Sequence, residues 1–325
     1  MSFIQDLTPI NLAEEKQKFF DSNCQYNPQF QYRKLITVNL LYQYGKAKPD
    51  YLEYAKSIVE KAFFKFTEAE IRRMEGKKVN RREAQTLIWD YLKTNHLEDE
   101  VQVKWIDNYI SKASSFKNLL KLRTELDFEE NAFKAILNHE VGTHILRRVN
   151  YVQQPFYNQK KKLGFDEYLV TEEGLASLNS LLAKSFKLDY YHALTYVMQA
   201  YSQDHSFVEL YHYLLQYLVD PERTWNMTAK LKRGIYNTAE GGGFTKSYIY
   251  LEGMIRVWQY FNKTDFNIID LYRGKIDVDD VEKAKSMNPN FIPQLPHFYT
   301  NNPHNYCDQM IEIAKINSLD QVAKI

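Results

Sequence analysis

The chain has 325 residues, and its 42 Lys and Arg are balanced by 41 Asp and Glu. This length is enough for one large domain or two ordinary ones, and the balanced charge excludes a strong field toward nucleic acid or an anionic membrane. No stretch approaches about eighteen apolar residues, and the start lacks a basic segment followed by an apolar one, so neither a membrane span nor a secretory signal is predicted. With Cys24 and Cys307 as its only cysteines, the sequence is typical of a cytoplasmic protein without a disulfide framework.

Helix signals dominate the chain from its beginning to its end. Four capping side chains stand three residues before a carboxylate, each at the start of a segment with helical apolar spacing: Asp50 with Glu53, Asn80 with Glu83, Asp127 with Glu130, and Ser206 with Glu209. Pro49 and Pro221 stand where prolines open helices. Residues 36–38 and 168–170 are the best candidates for short strands. The sequence therefore predicts a mainly α fold with a few short strands.

Breaks in this helical pattern suggest how the chain is organised. Three consecutive glycines at 241–243 predict a flexible loop between two helical segments. After Asn288 the sequence is rich in Pro and Asn, which predicts an extended segment on the surface. We expect an N-terminal helical region at residues 1–125 and a second region at residues 126–325 that contains the motifs described next, or one continuous domain that contains both.

Residues 138–150 carry the motif with the clearest chemistry, Asn-His-Glu-Val-Gly-Thr-His-Ile-Leu-Arg-Arg-Val-Asn. A zinc-binding helix usually spaces its two histidines by four residues, about 40° apart around the axis. His139 and His144 are spaced by five, which on a regular helix separates them by about 140° and prevents a shared metal. A π-type turn would bring the rings back together, and Gly142 is the expected place for that distortion.

A catalytic zinc site needs three protein ligands, an open position for water and a base. Glu140, next to the first histidine, is the candidate base. The third ligand is expected from residues 171–176, Thr-Glu-Glu-Gly-Leu-Ala, where Thr171 as the N-cap would place Glu172 and Glu173 in the first helical turn. Two histidines on one helix and a glutamate on the next resemble the gluzincin arrangement.

An alternative interpretation of the same residues involves no metal. On a regular helix, Glu140 and His144 would form an ordinary pair at four-residue spacing. The two glutamates would then be first-turn carboxylates that the helix dipole favours.

Four blocks together, at residues 26–32, 139–150, 171–176 and 243–253, resemble the family of microtubule-associated tyrosine carboxypeptidases. They also resemble bacterial relatives described as flavohaemoglobin expression-modulating proteins with a Gln-Glu-Gly-Leu-Ala motif. The resemblance implies a Zn²⁺ ion held by His139, His144 and Glu173. Because the first acidic position can be Gln in the bacterial motif, Glu172 would either support the site from behind or be exposed. Ser247 departs from the family pattern, in which an acidic residue is expected.

The resemblance also implies a zinc metallocarboxypeptidase that releases a C-terminal, tyrosine-like residue from a peptide or protein. A free C-terminal carboxylate calls for a cation near the zinc, and Lys246 and Arg147 are the candidates. Tyr250 would share a helical face with Lys246 and could bind the carboxylate or the developing oxyanion; otherwise the pair is a surface lysine beside a packing tyrosine.

Two other functions stay open at this point. An endopeptidase or aminopeptidase could use the same metal site. A non-enzymatic, metal-stabilised regulatory protein is the second alternative, although a purely structural metal site would not need Glu140 beside its ligand.

Overall fold

The computed structural model describes residues 6–107 and 111–322, which are mainly helical with one small sheet. The α-helices span Leu12–Asp21, Val38–Leu41, Pro49–Phe63, Glu68–Met74, Arg81–Thr94, Glu130–His139, Leu146–Tyr151, Leu169–Leu181, Tyr190–Tyr201, Phe207–Leu218, Pro221–Leu231, Tyr248–Thr264, Ile268–Leu271, Val281–Met287, His297–Thr300, Pro303–Asn317 and Leu319–Val322. A π-helical segment spans Glu140–Ile145, and 3₁₀ segments span Thr245–Ser247 and Val278–Asp280. Within the described ranges, no helix combines the length and apolarity that crossing a bilayer requires.

The chain forms two compact units, each built from two stretches of sequence. The first contains the chain up to Ile71 together with Asp189–Tyr248, and the second contains Arg72–Leu188 and the chain after Tyr248. The predicted division at residue 125, between an N-terminal helical region and a zinc-binding catalytic region, stays a prediction.

The first unit is organised around buried aromatic side chains. The ring of Phe19 has its centroid 5.3 Å from that of Phe207, 4.7 Å from that of Tyr211 and 5.0 Å from that of Trp225. Such edge-on and tilted contacts add to the burial of large apolar surfaces. The core of this unit is therefore largely aromatic.

The second unit contains the sheet, whose strands are Gln102–Ile106, Ala113–Phe116 and Leu119–Arg123. The third strand lies in the middle, parallel to the first and antiparallel to the second. Leu120 and Leu122 alternate with Lys121, so one face of the sheet is buried and the other faces solvent. Ser115 pairs with Leu120 in register and lies on the buried face.

The capping predictions had mixed outcomes. Both capping boxes at Asn80 and Ser206 are confirmed, as are the prolines at the first positions of Pro49–Phe63 and Pro221–Leu231. The predicted cap at Asp50 is wrong because Pro49 already opens the helix, with Lys48 as the N-cap. Asp127 is not a cap either: its carboxylate accepts hydrogen bonds from Arg72, and Glu129 takes the N-cap position.

Both predicted strands are wrong, because residues 38 and 169 each begin a helix instead.

The glycines at 241–243 do separate two helical segments, but close packing requires them: a Cβ would lie 2.1 Å from Gln203 O at Gly241 and 2.0 Å from Leu231 O at Gly243. Residues 291–296 form neither helix nor strand, which is compatible with the predicted extended segment, whereas the helices His297–Thr300 and Pro303–Asn317 were not expected.

Candidate metal centre

Residues 130–151, here called the histidine helix, are α-helical except at the π-helical segment Glu140–Ile145. The predicted π-type turn is thus confirmed. His139 and His144 have ring centroids only 4.7 Å apart, although a regular helix would separate two residues at this spacing by about 140°. The wider turn is what brings the two imidazoles to one side of the helix.

Gly142 lies inside this segment as predicted, but for a different physical reason. A Cβ at this position would lie 2.3 Å from Tyr91 Oη and 2.8 Å from Phe298 Cε1. Tyr91 is itself fixed, because its hydroxyl donates a hydrogen bond of 2.9 Å to Asn138 Oδ1. Gly142 is therefore required by the space that these two rings occupy rather than by an unusual backbone angle.

Helix Leu169–Leu181, here called the glutamate helix, brings Glu173 to the two histidines. Glu173 Oε2 lies 3.4 Å from His139 Nε2 and 3.4 Å from His144 Nε2. One ligand atom from each of the three side chains lies within 4.8 Å of the others. Two imidazole nitrogens and one carboxylate oxygen that converge in this way suit a catalytic zinc ion, so these residues fit the expected metal.

The predicted N-cap of the glutamate helix was wrong. Tyr168 is the N-cap, and Thr171 lies inside the first turn, where its hydroxyl donates to Asp277 Oδ2 at 2.7 Å. Three residues further along the helix, Gly174 leaves no room for a side chain: an added Cβ would lie 2.0 Å from the carbonyl carbon of Gly253. The glutamate helix thus packs backbone against backbone on helix Tyr248–Thr264, directly beside Glu173.

Glu172 is buried behind His144. Of its two predicted positions, supporting the site from behind or being exposed, the first is the one observed. Its Oε1 lies 3.0 Å from His144 Nδ1, and it also accepts hydrogen bonds from Arg147 and Lys275. Burial opposes ionisation, but Lys275, Arg147 and His144 together hold the pKa of Glu172 well below its usual range. A carboxylate that accepts from the far nitrogen of a histidine fixes the orientation of that ring.

The charge around His144 favours a cation at this ring. Burial alone would lower the pKa of His144, but the carboxylates of Glu173 and Glu172 outweigh it and raise that pKa to about 9. The same carboxylates would stabilise either a proton or a metal ion at this position.

Arg147 lies in the same cluster but is fully buried. Its Nε donates to Leu271 O at 2.8 Å, its Nη2 donates to Ile276 O at 2.9 Å, and its Nη1 donates to Glu172. These contacts make Arg147 a support for Glu172. The predicted contact between Arg147 and a substrate carboxylate stays a prediction.

Glu140 opens the π-helical segment and has a partner that the sequence did not reveal. Ser115 Oγ donates a hydrogen bond of 2.7 Å to Glu140 Oε2. Ser115 lies on strand Ala113–Phe116, whose sequence Ala-Ser-Ser-Phe carries no hydrophobic alternation that could have indicated a strand.

The other two predicted residues lie outside both the histidine helix and the glutamate helix. Lys246 belongs to the 3₁₀ segment Thr245–Ser247 in the first unit, and Tyr250 belongs to helix Tyr248–Thr264. Lys246 precedes the α-helix in a 3₁₀ turn, and the common face predicted for Lys246 and Tyr250 stays a prediction. The substrate-binding roles of Lys246 and Tyr250 stay predictions.

Fold and cluster together define a mainly helical protein with a two-histidine, one-glutamate site that could hold a metal ion. A family model described as microtubule-associated tyrosine carboxypeptidase matches residues 41–306, most of the chain. The chain belongs to this family.

Individual relatives agree with this assignment. The chain is 28% identical over 322 residues to microtubule-associated tyrosine carboxypeptidase 1 of Mus musculus, covering 97% of this chain and 68% of the relative. The Homo sapiens protein of the same name gives the same identity and the same two coverages. MATCAP2 of Mus musculus is also 28% identical over 322 residues, but the chain spans only 61% of its length.

Proposed function

We propose that this chain is a zinc-dependent carboxypeptidase that removes a tyrosine-like C-terminal residue from a peptide or protein. Membership of a family named for tyrosine carboxypeptidases supports the reaction class. The observation that carries the proposal is the convergence of His139, His144 and Glu173, with Glu140 next to His139 in the sequence. The name of the relatives associates them with microtubules, which supports a cytoplasmic location and a protein C-terminus as substrate.

His139, His144 and Glu173 are the residues that would hold the zinc. Their origin on two helices, two histidines from one and a glutamate from the next, supports a gluzincin-like arrangement. When bound, the ion would polarise the scissile carbonyl and make a water molecule acidic enough to lose a proton near neutral pH.

Glu140 is the residue that would handle this proton. Its carboxylate accepts the proton as the water oxygen bonds to the scissile carbonyl carbon, and it returns the proton to the amine as the C–N bond breaks. Ser115 holds one of the two carboxylate oxygens at 2.7 Å, which restricts Glu140 to one orientation. A base fixed in this way loses less entropy on reaching the transition state.

Recognition of the substrate C-terminus needs a positive charge, because a free carboxylate loses its hydration when it binds. Lys246 and Tyr250 are proposed for this role, as is Arg147. Of these, Arg147 has its guanidinium nitrogens bonded to Leu271, Ile276 and Glu172, which argues against a direct contact between Arg147 and the substrate.

The experiment compares wild type, Glu140→Gln, Glu172→Gln and Glu173→Gln for zinc content and for cleavage of peptides with a free C-terminal tyrosine. Glu140→Gln should retain zinc and lose at least about 100-fold in kcat, because an amide cannot accept the proton. Glu173→Gln should lose both zinc and activity, and Glu172→Gln should do neither to the same degree. Peptides with an amidated C-terminus, tested in parallel, should resist cleavage.

Each part of the proposal would be contradicted by a different experimental result. Wild-type protein that binds no transition metal would refute the zinc site. Cleavage of amidated peptides as fast as free ones would favour an endopeptidase or aminopeptidase, and a metal-loaded but inactive protein would favour the regulatory alternative.

A further inference from the structure

The π-helical segment is bonded from outside the histidine helix at its centre. Tyr272 Oη donates a hydrogen bond of 2.7 Å to Gly142 O, the carbonyl in the middle of the widened turn. Tyr272 is fully buried, and this burial raises the pKa of its phenol, which keeps the hydroxyl a neutral donor. A π-type turn gives up regular ladder geometry, so a bond from a rigid neighbour to one of its carbonyls favours the distorted form.

A buried amide on the glutamate helix connects this tyrosine to the same segment a second time. Asn179 Nδ2 lies 3.2 Å from Tyr272 Oη and 3.0 Å from Thr143 Oγ1, donating to both oxygens. Thr143 Oγ1 in turn donates to Asn138 O at 2.9 Å. The two helices that carry the three candidate ligands are thus joined by hydrogen bonds that converge on residues 142 and 143.

Residues 271–276, here called the supporting segment, contact the site at a second place. Lys275 donates to Glu172, and the carbonyls of Leu271 and Ile276 accept hydrogen bonds from Arg147, which also donates to Glu172. One short stretch of chain therefore bonds to the π-helical segment through Tyr272 and supports the His144 ring through Glu172.

We propose that Tyr272 is a positioning residue: its hydroxyl, with Asn179, holds the π-helical segment in the form that turns His139 and His144 toward one metal ion. This inference rests on the proposed zinc site for its functional meaning, although the hydrogen bonds themselves do not depend on it. Tyr272 acts through the backbone of residue 142 and takes no part in the reaction itself.

Tyr272→Phe tests the hydroxyl alone, because the ring that fills the core is kept. Tyr306→Phe is the matched control. Tyr306 is equally buried and donates to the same Asn179 at 3.1 Å, but in the described part of the chain it has no hydrogen bond to the histidine helix. Tyr272→Phe removes the hydrogen bond to Gly142 O and the one accepted from Asn179, whereas Tyr306→Phe removes only a hydrogen bond to Asn179. The variants therefore differ in the bond that lies on the π-helical segment.

Three quantities are measured on each full-length variant: Zn²⁺ affinity by chelator competition, the visible spectrum of the Co²⁺-substituted protein, and amide hydrogen exchange of residues 140–146. For Tyr272→Phe we expect at least about tenfold weaker zinc binding, a shifted Co²⁺ spectrum and faster exchange, since supporting hydrogen bonds of metal ligands typically contribute about 10–100-fold in affinity. For Tyr306→Phe we expect zinc affinity within about twofold of wild type and an unchanged spectrum.

Equal effects of the two variants, or a wild-type exchange rate and spectrum in Tyr272→Phe, would overturn the inference. Failure of wild type to bind metal would refute the proposed function instead, and the exchange rates would still decide whether Tyr272 holds the π-helical segment. Should Tyr272→Phe fail to fold, Thr143→Val removes the other link from Asn179 to this segment and provides the same comparison.

Discussion

The two helices that carry the candidate ligands are held in position in different ways. The histidine helix departs from regular geometry at Glu140–Ile145, and hydrogen bonds from Tyr272 and Asn179 reach the distorted part. The glutamate helix is regular, and a backbone contact between Gly174 and Gly253 places it. The histidine helix should therefore respond most to changes in hydrogen bonding and crowding at its π-helical segment. The glutamate helix should respond most to added volume at the contact between Gly174 and Gly253.

The largest expected effect is that of Gly174→Ala on stability. The new methyl would lie 2.0 Å from the carbonyl carbon of Gly253, and a backbone atom cannot move aside as a side chain can. We expect the free energy of unfolding, measured by urea titration, to fall by at least about 3 kcal/mol. Gly274→Ala is the control, because its methyl meets nothing closer than 3.4 Å and should change stability by less than about 1 kcal/mol. A Gly174→Ala protein as stable as wild type would show that this contact does not place the glutamate helix.

A smaller loss is expected at the turn of the histidine helix. In Gly142→Ala the methyl would lie 2.3 Å from Tyr91 Oη, a buried side-chain atom that can shift only by breaking its bond to Asn138. We expect a loss of about 1–3 kcal/mol in unfolding free energy and weaker zinc binding, and Gly142→Val should be worse because it is bulkier and β-branched. Adding Tyr91→Phe removes the crowded oxygen and should recover part of the loss, and an additive double variant would contradict the crowding explanation.

The charge around His144 predicts how metal affinity depends on pH. Its pKa of about 9 in the fold lies above the ordinary value of 6.5, so at pH 7 a metal ion must displace a proton. Apparent zinc affinity should therefore rise by about tenfold per pH unit from pH 7 to 9 and then level off. The same proton stabilises the metal-free fold fully below pH 6.5, and this contribution is lost as the pH rises through 9. Chelator competition between pH 6.5 and 9.5 measures the trend, which a flat profile above pH 7 would disprove.

The smallest effect is expected on kcat, from a change beside the candidate base Glu140. Ser115→Ala removes the hydrogen bond to Glu140 Oε2 without changing a ligand. We expect kcat to fall by about tenfold or less, with zinc content and affinity unchanged. Ser114→Ala, one residue earlier and on the opposite face of the strand, should leave kcat near the wild-type value. Equal losses in the two variants would argue against an orienting role for Ser115.

Local chemistry explains what the sequence could predict of this site. The five-residue spacing of His139 and His144 is unusable on a regular helix, so the π-type turn could be inferred from geometry alone. Glu173 was singled out by the family resemblance, and the structure places it next to both rings. Gly142 was identified correctly, but the crowding by Tyr91 and Phe298 that requires it could not be inferred without the fold.

The supporting residues could not be predicted because nothing local marks them. Ser115 precedes Glu140 by 25 positions, Lys275 follows Glu172 by 103 positions, and Tyr272 follows Gly142 by 130 positions. Each is an ordinary residue in its own segment and acquires a role only through long-range packing. The strand predictions at residues 36–38 and 168–170 were wrong for a related reason. The observed strands are stabilised by pairing in the sheet, which strand propensity alone does not reveal.

The π-helical segment also has a consequence for helix phase. Five regular residues would rotate the downstream helix by about 100° more than four do. The proximity of the His139 and His144 rings shows that the widened turn absorbs this rotation within itself. Leu146–Tyr151 therefore keeps the phase of a helix with four-residue histidine spacing, and Arg147 still meets Glu172. The extra residue behaves as a local insertion that changes the ligand spacing in the sequence but leaves the rest of the helix in register.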